Sequence, residues 1–274
     1  MKIVLFGSRH VHDIAWQLKN NFDLLLLVTS DVRTVNYASS EKIPFTQVLV
    51  IDKKFTQQIK KLKPDLGIAA DFGLIIPQDL LNTFPKGILG IHPSLLPKYR
   101  GPTPVQSAIL AGNKITGLTI YKLDQEVDHG PIIYQEELKI SPDDYTDKLL
   151  IKLFGRAGQV LPEVIKKYLA NEGESRQQED KKATYTKVLT KKDGYIDVTN
   201  PPEKRKLLRM INALYPWPGV WTYYPLTPQK SQKTLIKLLP GNIIQVEGKK
   251  PMNYKDFING YPKGKFFLEK LSLI

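Results

Sequence analysis

The chain has 274 residues, 42% hydrophobic and 24% charged, the balance of a globular protein with room for a core domain and a smaller second one. It contains no cysteine, which excludes disulfide frameworks, thiolate nucleophiles and cysteine–zinc sites and implies a reducing, cytoplasmic setting. The net charge of +13 is unevenly placed: residues 1–180 carry 22 Lys/Arg against 21 Asp/Glu, whereas residues 181–274 carry 18 against 6. A near-neutral part joined to a strongly basic one implies chemistry in the first and a polyanionic partner for the second.

Residues 2–6 predict a strand that starts at once, and no signal peptide is expected. A helix follows over 13–20, with Asp13 as its expected N-cap. Gly7 stands alone, without the further glycines of a dinucleotide fingerprint, which argues against an NAD enzyme. His10 and His12 form an H-x-H pair that lacks ligand-spaced partners, so both are expected as exposed loop residues rather than metal ligands. Residues 24–28 predict a second strand, far too short to span a bilayer. A third strand is expected at 47–51, a helix at 55–62 and a strand at 66–70. This alternation predicts a mostly parallel sheet with helices on both faces. Ligands of such sheets bind beyond the carboxyl ends of the strands, where residues 71–77 lie.

Residues 87–89 lead out of another buried strand. At its end Gly90 and His92 share one face, with Ile91 on the other. Pro93 and Pro97 bracket Ser94, Leu95 and Leu96, and Gly101-Pro102 closes the loop. The prolines fix φ and remove two N–H donors, leaving a stiff, partly apolar loop suited to a planar ligand. A helix over 103–111, packed by Val105, Ile109 and Leu110, comes next. Strands at 118–123 and 132–138 then flank a turn that holds Asp128 and is sealed by Gly130-Pro131. A carboxylate there can reach an imidazole on a neighbouring strand end, which makes His92 and Asp128 the candidate catalytic pair.

A long helix is expected over 145–169, with Pro162 implying a kink or two helices. The polar stretch 171–182 is expected to link a catalytic domain, 1–170, to a basic domain, 183–274. In the latter, a helix over 201–214 starts with proline and carries Lys204, Arg205, Lys206 and Arg209. Short β-type runs at 235–239, 243–246 and 266–268 predict a small barrel-like domain.

The stretch LGIHPSLLPKYRG at 89–101 and the D-x-G turn at 128–130 together resemble the folate-dependent formyltransferases, most nearly the branch that formylates initiator methionyl-tRNA. The A-T-Y segment at 183–185, D-G-Y-I-D at 193–197, the P-W-P-G at 216–219 and the tail at 248–257 extend the likeness over most of the chain. Tyr215 stands before P-W-P-G where that family has asparagine. The resemblance implies an α/β, Rossmann-like catalytic domain and a shortened OB-like C-terminal domain. It implies transfer of the formyl group of 10-formyltetrahydrofolate to the amine of initiator methionyl-tRNA, by a monomer and without a metal. His92 would polarise the formyl oxygen and shuttle the proton, and Asp128 would set its tautomer or accept the amine proton. Phe72, Gly73, Leu74, Ile75 and Ile76 would meet the folate edge through main-chain groups, and Ser94, Leu95, Leu96 and Pro97 would hold it.

Two further departures from the family bear on function. Gly90 stands where it has asparagine in N-x-H, and losing one oxyanion donor typically costs about 10²–10³ in rate. Residues 30–44, in place of a basic insertion, hold only Arg33 and Lys42. Three functions therefore stay open: tRNA formylation, N-formylation of a nucleotide-linked amino sugar, and tRNA binding by a vestigial enzyme. The charge of the last third favours tRNA, with Arg33, Lys42, Lys204, Arg205, Lys206, Arg209, Lys249 and Lys250 as its candidate contacts.

Overall fold

The first strand sets the pattern for the larger part of the molecule. In the computed structural model, which describes residues 1–172, 175–226 and 233–274, β1 (Lys2–Gly7) is buried from Ile3 onward. Val4 and Phe6 face a cluster with Val28, Phe55, Ile59, Leu80 and Phe84, while the pleat turns the equally buried Ile3 and Leu5 to the other side. A strand apolar on both faces belongs at the centre of a sheet covered twice.

The order of elements is β1, α1 (His12–Asn21), β2 (Asp23–Thr29), α2 (Val32–Ser40), β3 (Phe45–Gln47), α3 (Lys53–Lys61), β4 (Leu66–Ala70), α4 (Gln78–Leu81), β5 (Ile88–His92), α5 (Pro104–Ala111), β6 (Ile115–Lys122), β7 (Ile132–Lys139) and α6 (Thr146–Leu169). The seven strands form one sheet in the order β3-β2-β1-β4-β5-β6-β7. β1 to β5 pair in parallel, and β6 and β7 add antiparallel. The mostly parallel, Rossmann-like sheet expected from the strand–helix alternation is therefore present. The order reverses between β1 and β4, where sheets of this kind hold ligands.

Several local expectations need correction. Val11, not Asp13, precedes α1, and Asp13 lies in its first turn, where a carboxylate still meets the positive end of the helix dipole. The third strand is Phe45–Gln47, earlier and shorter than 47–51, because Asp52 caps α3 through Phe55 N (2.7 Å) and the preceding residues turn towards it. α6 is one unbroken helix that includes Pro162. Its glycines do not interrupt it either: a Cβ on Gly158 would come within 3.1–3.2 Å of Asp13 and Ile14, so the missing side chain permits close packing on α1.

By compactness the chain divides into two units: residues 1–104, 115–139 and 150–186, and residues 105–114, 140–149 and 187–274. The cut falls after residue 186 rather than within the expected linker 171–182, of which residues 173 and 174 lie outside the described residues. Arg176 pairs with Ile132, and Thr184 and Thr186 bond to the main chain of the 97–103 loop, so this polar stretch is a strap on the larger unit.

The smaller unit contains α7 (Lys204–Leu214), β8 (Val220–Tyr224), β9 (Thr234–Leu239), β10 (Ile243–Val246), β11 (Met252–Asn253), α8 (Tyr254–Gly260) and α9 (Gly264–Lys270). Among the described residues its strands form an antiparallel sheet in the order β11-β10-β9-β8, open rather than closed into the expected barrel. Residues 266–268, expected as a strand, lie in α9, where Phe267 and Leu268 bury against Phe257 and Leu271. A three-residue apolar run has no period long enough to tell strand from helix. Pro201 and Pro202 precede α7 instead of opening it; Glu203 is the residue before its first turn.

Candidate active site

β5 delivers the central histidine. Every residue from Ile88 to His92 is buried, and His92, last in the strand, is 5% exposed. Its Nε2 lies 2.9 Å from the carbonyl oxygen of Tyr99. A carbonyl only accepts, so Nε2 carries the hydrogen and Nδ1 is left to face Asp128 Oδ2 at 3.5 Å. The turn of 128–130 thus brings its carboxylate to the imidazole, as the spacing of the two segments implied.

Asp128 is itself tightly held. Its φ of +52° is in the left-handed region, which aspartate tolerates better than most residues. Oδ2 accepts the Gly101 N–H at 2.7 Å, and Oδ1 accepts the Tyr121 hydroxyl at 2.6 Å. Gln178 donates to the carbonyls of Asp128 and Gly130 at 2.9 and 2.8 Å. Burial, and next the charge of Asp128, hold the Tyr121 phenol well above its ordinary pKa, so it stays a donor.

The loop after His92 is rigid for reasons beyond its prolines. Ser94 donates to Lys98 O at 2.7 Å, and Thr119 of β6 donates to Ser94 O at 2.6 Å. Thr119 Oγ1 also accepts from Leu96 N and from Gln135, which reaches Leu96 O as well. Ser94 and Leu96 are buried, whereas Leu95 and Pro97 are half-buried. Leu95 lies against Gly117, where a Cβ would meet its Cδ2 at 2.4 Å.

The second expected ligand loop leaves β4. Phe72 and Ile76 pack inward on the core of that face, with the Phe72 ring 5.6 Å from Phe6. Gly73 has nothing within 4 Å of where a Cβ would stand, and Ile75 is 85% exposed. Among the described residues, no main-chain group from Phe72 to Ile76, Leu74 included, takes part in the backbone hydrogen bonds outside helices and strands. An anchored loop with free amides and carbonyls can recognise a flat, polar-edged molecule.

The H-x-H pair is not an exposed loop feature. His10 Nδ1 lies 2.8 Å from Asp71 Oδ2 at the reversal between β1 and β4, and its ring stacks on Phe154. His12 stacks on Tyr37 with centroids 4.0 Å apart, and burial lowers its pKa. Among the described residues no group of three His, Asp or Glu is placed to hold a metal ion, and no helix is long and apolar enough to cross a membrane.

Sequence reasoning missed Tyr121, Gln178 and the role of Arg100. Arg100 is 1% exposed, and its guanidinium meets Gln178 Oε1, Asp180 Oδ1 and Tyr185 Oη at 2.9–3.1 Å. An invariably charged side chain in the motif, followed by a polar stretch able to satisfy it, was the available signal. Of the basic candidates, Arg33 and Lys42 belong to the larger unit, and Arg33 is exposed beside Asp31 at 3.6 Å. Lys204, Arg205, Lys206, Lys249 and Lys250 are exposed on the smaller unit. Arg209 is not: it lies half-buried over Gly112, and its Nε is buried without a partner.

The sequence profile of the formyl transferase family matches residues 23–165, just over half of the chain. The chain belongs to the formyl transferase family. The donors of this family are of the formyl-tetrahydrofolate type. A methionyl-tRNA formyltransferase of Chloroflexus aggregans is 43% identical over 173 residues, 63% of this chain and 55% of that one. The chain therefore spans little more than half the length of that relative. A methionyl-tRNA formyltransferase of Treponema denticola is 32% identical over 254 residues, 81% of this chain and 78% of the other. Among solved structures, a sugar N-formyltransferase from a Shewanella species superposes with a TM-score of 0.67 at 21% identity, covering 88% of this chain and 98% of that one.

Proposed function

We propose that this chain transfers the formyl group of 10-formyltetrahydrofolate to the amino group of initiator methionyl-tRNA, acting in the cytoplasm as a monomer in support of translation initiation. The observation that carries the reading is the His92–Asp128 pair at the carboxyl end of β5, 3.5 Å apart, beside a loop held on both sides. The amine attacks the formyl carbon, and the carbonyl electrons move to oxygen. With Nε2 held on Tyr99 O, His92 can donate to the formyl oxygen only through a protonated Nδ1, the nitrogen that faces Asp128. Asp128 then takes the amine proton, which passes to the folate nitrogen as the carbon–nitrogen bond breaks. Hydrogen bonds of this kind tighten as substrate and transition state are bound. The free main-chain groups of Phe72–Ile76 suit the polar edge of the folate ring system, and the residues from Ser94 to Pro97 suit its face.

Two facts support tRNA as the acceptor: the charge of residues 181–274, and the exposure of Lys204, Arg205, Lys206, Lys249 and Lys250. The shortness of residues 30–44 favours a second reading, a nucleotide-linked amino sugar as acceptor. Single-turnover assays with enzyme in excess over charged initiator tRNA, with an amino-sugar nucleotide alongside, decide between them. The expected product is formyl-methionyl-tRNA. Turnover of the sugar alone would transfer the protein to the second reading, and tRNA binding without any product would leave an RNA-binding protein.

A further inference from the structure

Gly90 and Tyr121 are opposite one another in the antiparallel pairing of β5 with β6, as are His92 and Thr119. Directly opposed residues share a face, so Gly90, His92, Thr119 and Tyr121 line the same side of the sheet. A Cβ at position 90 would lie 2.6 and 2.7 Å from the Tyr121 ring and 2.5 Å from Leu123 Cδ1. The φ of Gly90 is not in the left-handed region, so its backbone does not call for glycine. The space does. The phenol occupies it, 6% exposed, and ends on Asp128 Oδ1 at 2.6 Å.

Resting on the function proposed above, we infer that Tyr121 is a positioning residue for formyl transfer, and that Gly90 is glycine because the Tyr121 ring needs its volume. The hydroxyl claims Oδ1 and so fixes the carboxylate rotamer, leaving Oδ2 to face Nδ1 of His92. Of the polar contacts on Asp128, this is the one that comes from a side chain of β6, the strand that also anchors the ligand loop through Thr119. Asparagine at position 90 has no room while the ring is present. The site has exchanged a side chain on β5 for one on the neighbouring strand.

The test has a kinetic arm and an arm that does not need activity. Tyr121→Phe keeps the ring and removes the donor. In single-turnover formylation its rate should fall about 10- to 100-fold, the loss expected when a reacting group is released from its position. The KM values for donor and acceptor should stay near native, and the pH–rate profile should move. An unchanged rate and profile would overturn the positioning role. The second arm compares thermal unfolding of Gly90→Ala, Tyr121→Ala and the double variant. Gly90→Ala should be strongly destabilising alone and cost much less once Tyr121 is alanine, because the close neighbour that remains, Leu123 Cδ1, is the end of a side chain that can turn aside; that coupling separates shared space from two independent losses. Additive costs would overturn the volume exchange. If the native chain formylates neither acceptor, the function proposed above fails. A slowly exchanging hydroxyl proton of Tyr121 is then expected in the NMR spectrum, lost in both Tyr121→Phe and Asp128→Ala; its absence from the native spectrum would overturn the phenol's hold on Asp128.

Discussion

Gln178 joins Arg100 to the Asp128 turn: its carbonyl accepts two N–H groups of the buried guanidinium, while its amide donates to the carbonyls of Asp128 and Gly130. One uncharged side chain thus couples the end of the ligand loop to the carboxylate that faces the imidazole. A buried guanidinium is stable only while its donors are met. Arg100→Met should therefore destabilise the protein by about 2–4 kcal/mol, since hydrogen bonds to a charged group contribute roughly 1.5–3 kcal/mol each and several are lost together. Urea unfolding measures it. Gln178→Ala should increase hydrogen exchange in the 124–130 turn, and an unchanged exchange pattern would show that the turn holds itself.

The catalytic pair should separate from the fold. His92→Ala and Asp128→Asn should each lower single-turnover formylation by about 10²–10⁴. Binding of tRNA should be unaffected, because the exposed basic side chains lie elsewhere in the sequence. A filter-binding titration beside the rate assay distinguishes a chemical defect from a binding one.

Salt should reveal the polyanion. Log affinity for tRNA should fall linearly with log salt, and Lys204→Ala, Arg205→Ala and Lys206→Ala combined should flatten that slope by about 0.7–0.9 for each phosphate contact removed. The rate at saturating tRNA should be retained. Arg209→Ala should instead lower stability, because this side chain packs over Gly112.

Acid should act on Asp193. The Lys187 ammonium first, and then the Thr190 N–H and hydroxyl, push its carboxyl down to about 2. The folded value lies below that of the unfolded chain, so the ionised group stabilises the fold above the ordinary aspartate range. That contribution is lost as the pH falls through about 2. Asp193→Asn should unfold more readily at neutral pH, with the two unfolding curves converging under strong acid. Parallel curves across the whole range would remove Asp193 from the acid response.

The parallel sheet was legible because buried strands such as 66–70 are continuous apolar runs between turn residues. His92 and Asp128 were legible because a stiff loop and a sealed turn are local in sequence. What could not be read were relations set by register. Tyr121 looks like one more alternating apolar residue until β6 is aligned against β5, and Gly90 looks like a loss until the ring opposite is seen. The strap at 176–186 is polar, which matches a solvated linker equally well; its partners, the Arg100 guanidinium and the main chain at 97–103 and 128–132, are distant in sequence. Phe266, Phe267 and Leu268 failed for a different reason, since three apolar residues carry no period.

The smaller unit gathers residues 105–114 and 140–149 from within the larger one's sequence. Leu110 packs on a core completed by Leu268 and Leu271, and Thr146 donates to the carbonyl of Ala213 at 2.6 Å. On the ribosome both segments emerge long before the partners they need, so this unit can close only once the last helix has been made. Severing the gene at the strap would not yield two self-sufficient halves. The front piece would carry Leu110 without the core it packs on, and the back piece would lack part of its own core.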